Sequence, residues 1–266
     1  MIYDIRTAQY AQQTLTNLTG IPLSVWKQYL GHEHEYKFTD YLVADVIKCN
    51  GYMPCSCKDL EFIYFHVTTS ANICTSFRKH GILDLKQSYL CNDSELRIFL
   101  ENHDIHINLD DRILIYGEQE FDITFGDCPS RNTEAYNCWS IGRKFYFDYT
   151  ICGFLSVTER SAYGGQVHRR PEILKDIDKL FGLNLSREWM STHDSYEVVA
   201  KVSGEKVIYD SDENQSDEDK ILYYLTKAYL TAFSEPSENI LMLKNNIQIP
   251  PRDIVKIKPM KYWKDC

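Results

Sequence analysis

The stretch that most restricts this chain is Asp59 to Ser70, DLEFIYFHVTTS. Between Phe62 and Val67 every residue except His66 is aromatic or β-branched, a composition that packs on a pleated, buried surface and suits a strand. His66 sits near the end of the run, and Thr68 and Thr69 follow it. The segment Ala71 to His80 then reads as a short helix. Ile73 and Phe77 lie four apart on one face, Ser70 is a good N-cap, and Gly81 suits the residue that closes a helix. The expected local order is strand, His-Thr-Thr turn, short helix, glycine, then the apolar Ile82-Leu83. A polar side chain at the mouth of a buried strand, with hydroxyls beside it, is a common start to a small-molecule site. The alternative is a histidine satisfied within the core.

A chain of 266 residues allows one large or two small domains. Hydrophobic residues make up 44% of it, enough for a real core, and its 19 tyrosines favour mixed polar pockets and interfaces. A net charge of −9 disfavours a broad nucleic-acid-binding surface, though not a local basic site. The nine cysteines are odd in number and irregularly spaced, and no apolar leader is apparent at Met1, so a reduced cytoplasmic chain is expected. No apolar run is long enough to span a membrane. Cys49, Cys55 and Cys57, with His32 and His34 upstream, invite a zinc reading. The thiols of Cys55 and Cys57 are one residue apart, as are the histidines, and zinc pairs need wider spacing. No metal and no disulfide are expected.

In chain order, residues 1–30 look mainly helical, with Ile5, Ala8, Ala11, Leu15 and Leu18 on one stripe, a break at Gly20-Ile21-Pro22, and a second short helix to Gly31. Asp40 to Ile47 suits a buried helix or strand. Asn92 to Glu101 reads as a helix capped by Asn92 or Asp93, and Asp111 to Gly117 as a strand. Gly126 to Gly142 reads as a long polar loop able to cover a site. Lys144 to Val157 reads as a strand with Gly153 at a bulge or close approach. Pro171 fits the first turn of a helix ending at Gly182. His168, Arg169 and Arg170 therefore precede a helix N-terminus, whose free N–H groups and dipole favour phosphate. The alternative is a solvated loop whose arginines pair with the protein's own carboxylates. Tyr196 to Tyr209 reads as two strand segments. The acidic run from Asp210 lacks the glycine and glutamate of a calcium loop. Ser216 and Asp219 instead form a capping box for an amphipathic helix through Ala232. Glu238 precedes an apolar strand, Ile240 to Leu243, and a last strand runs from Ile247 to Lys258.

Two of these pieces together resemble the ADP-ribosyltransferase superfamily, in its diphtheria-toxin-like and DNA-targeting branches, and the related RNA 2′-phosphotransferases. One is Phe65-His66-Val67-Thr68-Thr69 followed by His80-Gly81-Ile82. The other is Glu238 leading Asn239 to Leu243, then Ile249-Pro-Pro-Arg-Asp253 and a final strand. The resemblance implies NAD as cofactor, with His66 hydrogen-bonding the nicotinamide ribose, Thr68 and Thr69 beside it, and Glu238 steadying an oxocarbenium-like sugar. Such a carboxylate acts because positive charge develops only in the transition state. His168, Arg169 and Arg170 are added from their own chemistry as a clamp for the pyrophosphate or a target phosphate.

The expected fold is α+β. It has an ADP-ribosyltransferase-like split mixed or antiparallel sheet with helices over residues 58–266, and a helical N-terminal extension over residues 1–57. The expected function is NAD-dependent ADP-ribosyl transfer to a macromolecular target, a protein or a nucleic acid. The alternative is a non-catalytic interaction or inhibitor protein that binds another protein.

Overall fold

The computed structural model describes residues 1–31, 35–54, 56–158, 161, 163–209, 216–234 and 237–260. In chain order its elements are β1 (Ile2–Asp4), α1 (Ala8–Thr19), α2 (Leu23–Gln28), α3 (Thr39–Asn50), β2 (Glu61–Ser70), α4 (Thr75–His80), α5 (Leu85–Leu90) and α6 (Glu95–Glu101). There follow β3 (Ile105–Asn108), β4 (Ile113–Tyr116), β5 (Gln119–Asp122), α7 (Glu134–Tyr146), β6 (Cys152–Ser156), α8 (Tyr163–Gln166), α9 (Glu172–Phe181) and α10 (Leu185–Thr192). The last are β7 (Asp194–Ser203), β8 (Val207–Ile208), α11 (Asp217–Phe233), β9 (Asn239–Leu243) and β10 (Ile254–Pro259). The protein is mixed α and β, as expected. No described helix is long and apolar enough to cross a membrane.

The chain divides into two compact units. The first comprises residues 1–66, 152–161 and 199–244, and the second residues 67–151, 162–198 and 245–266. The boundaries fall inside β2 and β7. Residues 1–57, expected as a separate helical extension, belong wholly to the first unit. The cause lies in three residues too short to show a period: Ile2–Asp4 form β1, which pairs parallel to β2 with Tyr3 opposite Phe62. Tyr3 is fully buried, its ring packs on Phe62 and Tyr224, and its hydroxyl donates to the Tyr224 carbonyl at 2.9 Å. α1 packs on α11, as does α3. Within this unit β2 runs antiparallel to β6 with Phe65 opposite Phe154, β6 antiparallel to β9, and β8 antiparallel to β9. Gly153 is a close approach, as expected: an added Cβ would lie 2.4 Å from the Tyr64 ring.

In the second unit β3, β4 and β5 form an antiparallel meander. Its core joins Leu100, Ile105, Leu114 and Ile123 to Ile141 and Phe145 of α7, Ile173, Leu174 and Ile177 of α9, and Trp189 of α10. α7 corrects two expectations. It occupies the end of the segment read as a loop and the start of the segment read as a strand. Thr133 caps it, its side chain accepting from the Tyr136 N–H, and Cys138, Ile141, Gly142 and Phe145 recur at three- and four-residue steps on its buried face. α9 starts after Pro171 and stops at Gly182, which takes the left-handed conformation with φ 68°. β2 is also longer than expected. Thr68, Thr69 and Ser70 continue the strand, and the turn comes after them, where the Ser70 hydroxyl accepts from the Asn72 and Cys74 N–H groups.

Candidate functional site

His66, Thr68, Thr69, His168, Arg169, Arg170 and Glu238 all lie among the described residues, whereas His32, His34 and Cys55 of the zinc reading and residues 210–215 of the acidic run lie outside them. His66 is half-buried on β2, and its Nδ1 donates to the Cys152 carbonyl at 2.8 Å. Burial, only partly offset by that bond, lowers its pKa. The imidazole is therefore neutral near pH 7, and Nε2 carries the lone pair. Glu238 is exposed and its carboxylate accepts from the Ser161 hydroxyl. β2, which carries His66, and β9, which Glu238 precedes, lie in one sheet with β6 between them. Along the ladder, Phe65 faces Phe154 and Gly153 faces Leu241, so His66 falls in the row of Gly153 and Leu241. Glu238 stands one residue before β9, at the end of the ladder where the β6–β9 pairing is irregular between Phe154 and Ser156.

Thr69 is buried, and its hydroxyl accepts from the Trp189 indole N–H at 2.8 Å. Trp189 stacks on His193 with ring centroids 3.5 Å apart. His193 reaches Glu95, whose carboxylate accepts from the Ser70 hydroxyl and the Ala71 N–H, both at 2.7 Å. The chain beyond β2 is thus tied down by polar bonds, and Thr69 is one of the ties. Thr68 lies beside it, half-buried.

His168 is also buried, 3% exposed, with its ring against Tyr163. Burial first, then the charges of Arg169 and Arg170, push its pKa down to about 4. This carries a stability prediction. In the unfolded chain the imidazole protonates near 6.5, and in the folded chain only near 4. The unfolded state binds the proton first, so the contribution is complete above pH 6.5 and is lost as pH falls towards 4. The ceiling is about 3 kcal/mol at 1.36 kcal/mol per pH unit. Urea unfolding from pH 7 to 4 should show a shallower loss in His168→Gln than in the native chain. Parallel curves would exclude His168 as a source of the acid sensitivity.

Arg170, the third member of that group, is 6% exposed and lines a cleft between α7 and α9. Its guanidinium donates to the Gly165 carbonyl at 3.3 Å. From α7 the cleft takes Tyr136, Trp139, Ser140, Arg143 and Lys144; from α9 it takes Glu172, Lys175, Asp176 and Lys179. These are the helical steps of three and four that put side chains on one face of each helix. The space enclosed, open mouth included, is about 610 Å³. Five cations face two carboxylates there, a positive surplus on a chain of net −9. Lys144 anchors one wall, with Nζ 2.5 Å from Glu172 and 3.0 Å from Asp148. Burial opposes its charge, but the two carboxylates outweigh it and raise its pKa. Burial also raises the pKa of Asp176, an effect that Lys179, Lys144 and Lys175 oppose. The same α7 wall is aromatic. Tyr136 and Trp139 stack at 5.7 Å, Phe125 lies 5.5 Å behind Trp139, and the Arg143 guanidinium stands 5.9 Å over the Trp139 ring.

No family model, curated protein or solved structure matches this chain.

Gly165 completes the cleft. It holds φ +65°, and a Cβ there would fall 1.5 Å from a Glu172 carboxylate oxygen. A Cβ there would push the Glu172 side chain off the α8 backbone, where it now pairs with Lys144. Of the sequence candidates, Arg170 belongs to this site. Arg169 is half-buried beside it. Tyr136, Trp139, Arg143, Lys144, Lys175 and Lys179 escaped the sequence reading. The steps Trp139-Arg143 and Lys175-Lys179 were the available signal.

Proposed function

We propose that this protein binds a nucleotide-like ligand, phosphorylated and ring-bearing, in the cleft between α7 and α9. The observation that carries the reading is the pairing of a stacked Tyr136–Trp139 wall with Arg143, Arg170, Lys175 and Lys179 on an otherwise acidic chain. Guanidinium and ammonium groups in a partly desolvated recess favour phosphate, and an aromatic wall favours a planar base. The cations face the same recess as the rings, so one ligand can satisfy both.

The resemblance to ADP-ribosyltransferases supplies a second reading, NAD-dependent transfer through His66 and Glu238. It is favoured by one observation, that the strand bearing His66 and the strand that Glu238 leads share a sheet. It rests on a different unit from the cleft and stands or falls separately. A non-catalytic protein acting by capture of its ligand is the reading in which the cleft alone carries the function.

One calorimetric series tests the proposal, with ADP, NAD and inorganic pyrophosphate titrated into the full chain. ADP or NAD should bind more tightly than pyrophosphate, which offers charge without a ring. Arg143→Ala with Lys175→Ala removes two phosphate contacts from side chains that are not fully buried, so the fold should survive. It should weaken binding by at least tenfold, as should Trp139→Ala, since stacking one base is worth about 1–3 kcal/mol. No heat from any of the three probes, or affinity untouched by both variants, removes the cleft as the site. In the NAD arm, free nicotinamide reports the second reading: release abolished by Glu238→Gln supports transfer, and binding without release supports capture alone.

A further inference from the structure

We propose that His80, Cys91 and Asp93 form a Zn²⁺ site with one coordination position open to solvent or a further ligand. The three side chains come from separate points of the second unit: His80 ends α4, Cys91 follows α5, and Asp93 precedes the Ser94 cap of α6. Their donor atoms all lie within 4.8 Å of one another, and each side chain is half-buried rather than fully exposed. His80 Nε2 lies 2.9 Å and 3.1 Å from the two Asp93 carboxylate oxygens, so the imidazole nitrogen is already turned towards the carboxylate.

The donor set selects the metal. Calcium and magnesium take oxygen ligands, whereas one imidazole nitrogen, one thiolate and one carboxylate suit borderline-soft zinc. A tetrahedral zinc with bonds of about 2.0–2.3 Å wants its donors about 3.3–3.6 Å apart. From the present arrangement that requires adjustments of about 1 Å, within the reach of side-chain rotation. Binding replaces the Cys91 S–H bond with an S–Zn bond and releases that proton to solvent. The proton that His80 Nε2 now donates to Asp93 also leaves, with Nδ1 holding the ring proton, so that the Nε2 lone pair can take the metal. It also displaces the Lys79 ammonium, which now lies 2.8 Å from Asp93 and is itself largely exposed.

The backbone that presents the three ligands is held by its own bonds. Gly81 and Ile82 follow His80 directly; Ile82 exchanges two backbone hydrogen bonds with Ile249, at 2.9 and 3.0 Å, and the Gln248 side chain donates to the His80 carbonyl at 2.8 Å. On the other side the Cys91 N–H donates to the Ser88 carbonyl and the Ser94 N–H to the Cys91 carbonyl, at 3.2 and 3.1 Å. The site is therefore largely preorganised, which lowers what metal binding must spend on ordering it. The cluster is distinct from Cys49, Cys55 and Cys57, the thiols that drew attention in the sequence. Its spacing, ten residues between the histidine and the cysteine and one between the cysteine and the aspartate, matches no paired-ligand pattern, which is why sequence reading passed it over.

The test is a titration of the chelator-treated full chain with Co²⁺, followed by displacement with Zn²⁺. The expected result is one equivalent of Co²⁺ with tetrahedral visible absorption and a thiolate-to-cobalt charge-transfer band, both abolished by Zn²⁺. Cys91→Ser should lose the charge-transfer band. His80→Ala and Asp93→Asn should each weaken Zn²⁺ at least tenfold against a chromogenic chelator, and Cys49→Ser should change nothing. Melting curves of the metal-free variants identify any that fail to fold, and the remaining two carry the result. A chain that takes up no metal, or one whose band survives Cys91→Ser and disappears in Cys57→Ser, overturns the assignment.

Discussion

Gly142→Ala should destabilise the protein by about 3 kcal/mol, although the same exchange in an exposed helix would stabilise it by about 1 kcal/mol. The helix propensity gain is real, because alanine loses less backbone entropy than glycine. What opposes it is position. A Cβ on Gly142 would stand 1.8 Å from the Ile123 carbonyl oxygen and 2.8 Å from its carbonyl carbon. Both are backbone atoms of a residue that is fully buried and whose N–H is bonded to the Arg112 carbonyl at 2.9 Å. Neither can swing aside as a side-chain tip would, so α7 must move off the meander and loosen the packing of Ile141 and Phe145. Urea denaturation measures the effect. Gly117→Ala is the control: its φ is +60° but nothing lies within 4 Å of an added Cβ, so it should cost only the strain of about 1–2 kcal/mol. A midpoint for Gly142→Ala at or above the native value would show that the close approach is not needed.

Trp189→Ala should cost about 3–5 kcal/mol, the range for deleting a large buried ring. The side chain is 2% exposed and meets Phe99 edge-on at 5.0 Å, at an interplanar angle of 85°. Trp189→Phe isolates the polar part, since it keeps most of the area but leaves the buried Thr69 hydroxyl without its donor, a loss of about 1–3 kcal/mol. Thr69→Val should destabilise as well, and the two changes together should cost clearly less than their sum, because the second removes a partner already lost. Strict additivity would mean that the Trp189–Thr69 bond contributes nothing. The same cycle bears on Thr69 as a ligand group: a hydroxyl engaged by an indole in the core should lower stability when removed, not affinity for NAD.

Much of the fold was legible where periodic patterns are long. The helix from Ser216, the strand at Phe62 and the helix from Pro171 to Gly182 all announce themselves through caps and spacing. The failures have physical causes. β1 has three residues, too few for alternation to register. Its strand character comes from pairing with Glu61–Ile63, a contact 59 residues away that no local pattern contains. α7 was split between a loop and a strand because Asn132, Asn137, Gly142 and a run of aromatics mimic turn and sheet composition. The cap at Thr133 and the buried steps at Cys138, Ile141 and Phe145 decide otherwise. That error hid the cleft as well. Without a helix through Trp139 and Arg143 there is no face to set against Lys175 and Lys179. Arg170 was found because a proline-started helix is a strong local signal. His66 and Glu238 were found by motif, and the ladder that puts β6 between the strand of one and the strand the other leads is tertiary information.

Neither unit is a continuous length of chain, and this sets a timetable for synthesis. When residue 66 has been made, the first unit still lacks β6, α11 and β9. It gains them only once residue 244 has been added. The second unit waits longer, since Ile82 finds its backbone partner at Ile249. A nascent chain that emerges from the N-terminus must therefore carry the strand Phe62 to Val67, among the most apolar in the sequence, with only the three-residue β1 beside it until β6 is made. Ribosome-bound fragments ending before residue 244 have no complete unit to fold, and such fragments are natural clients for chaperones that cover exposed strands until the last quarter of the chain arrives.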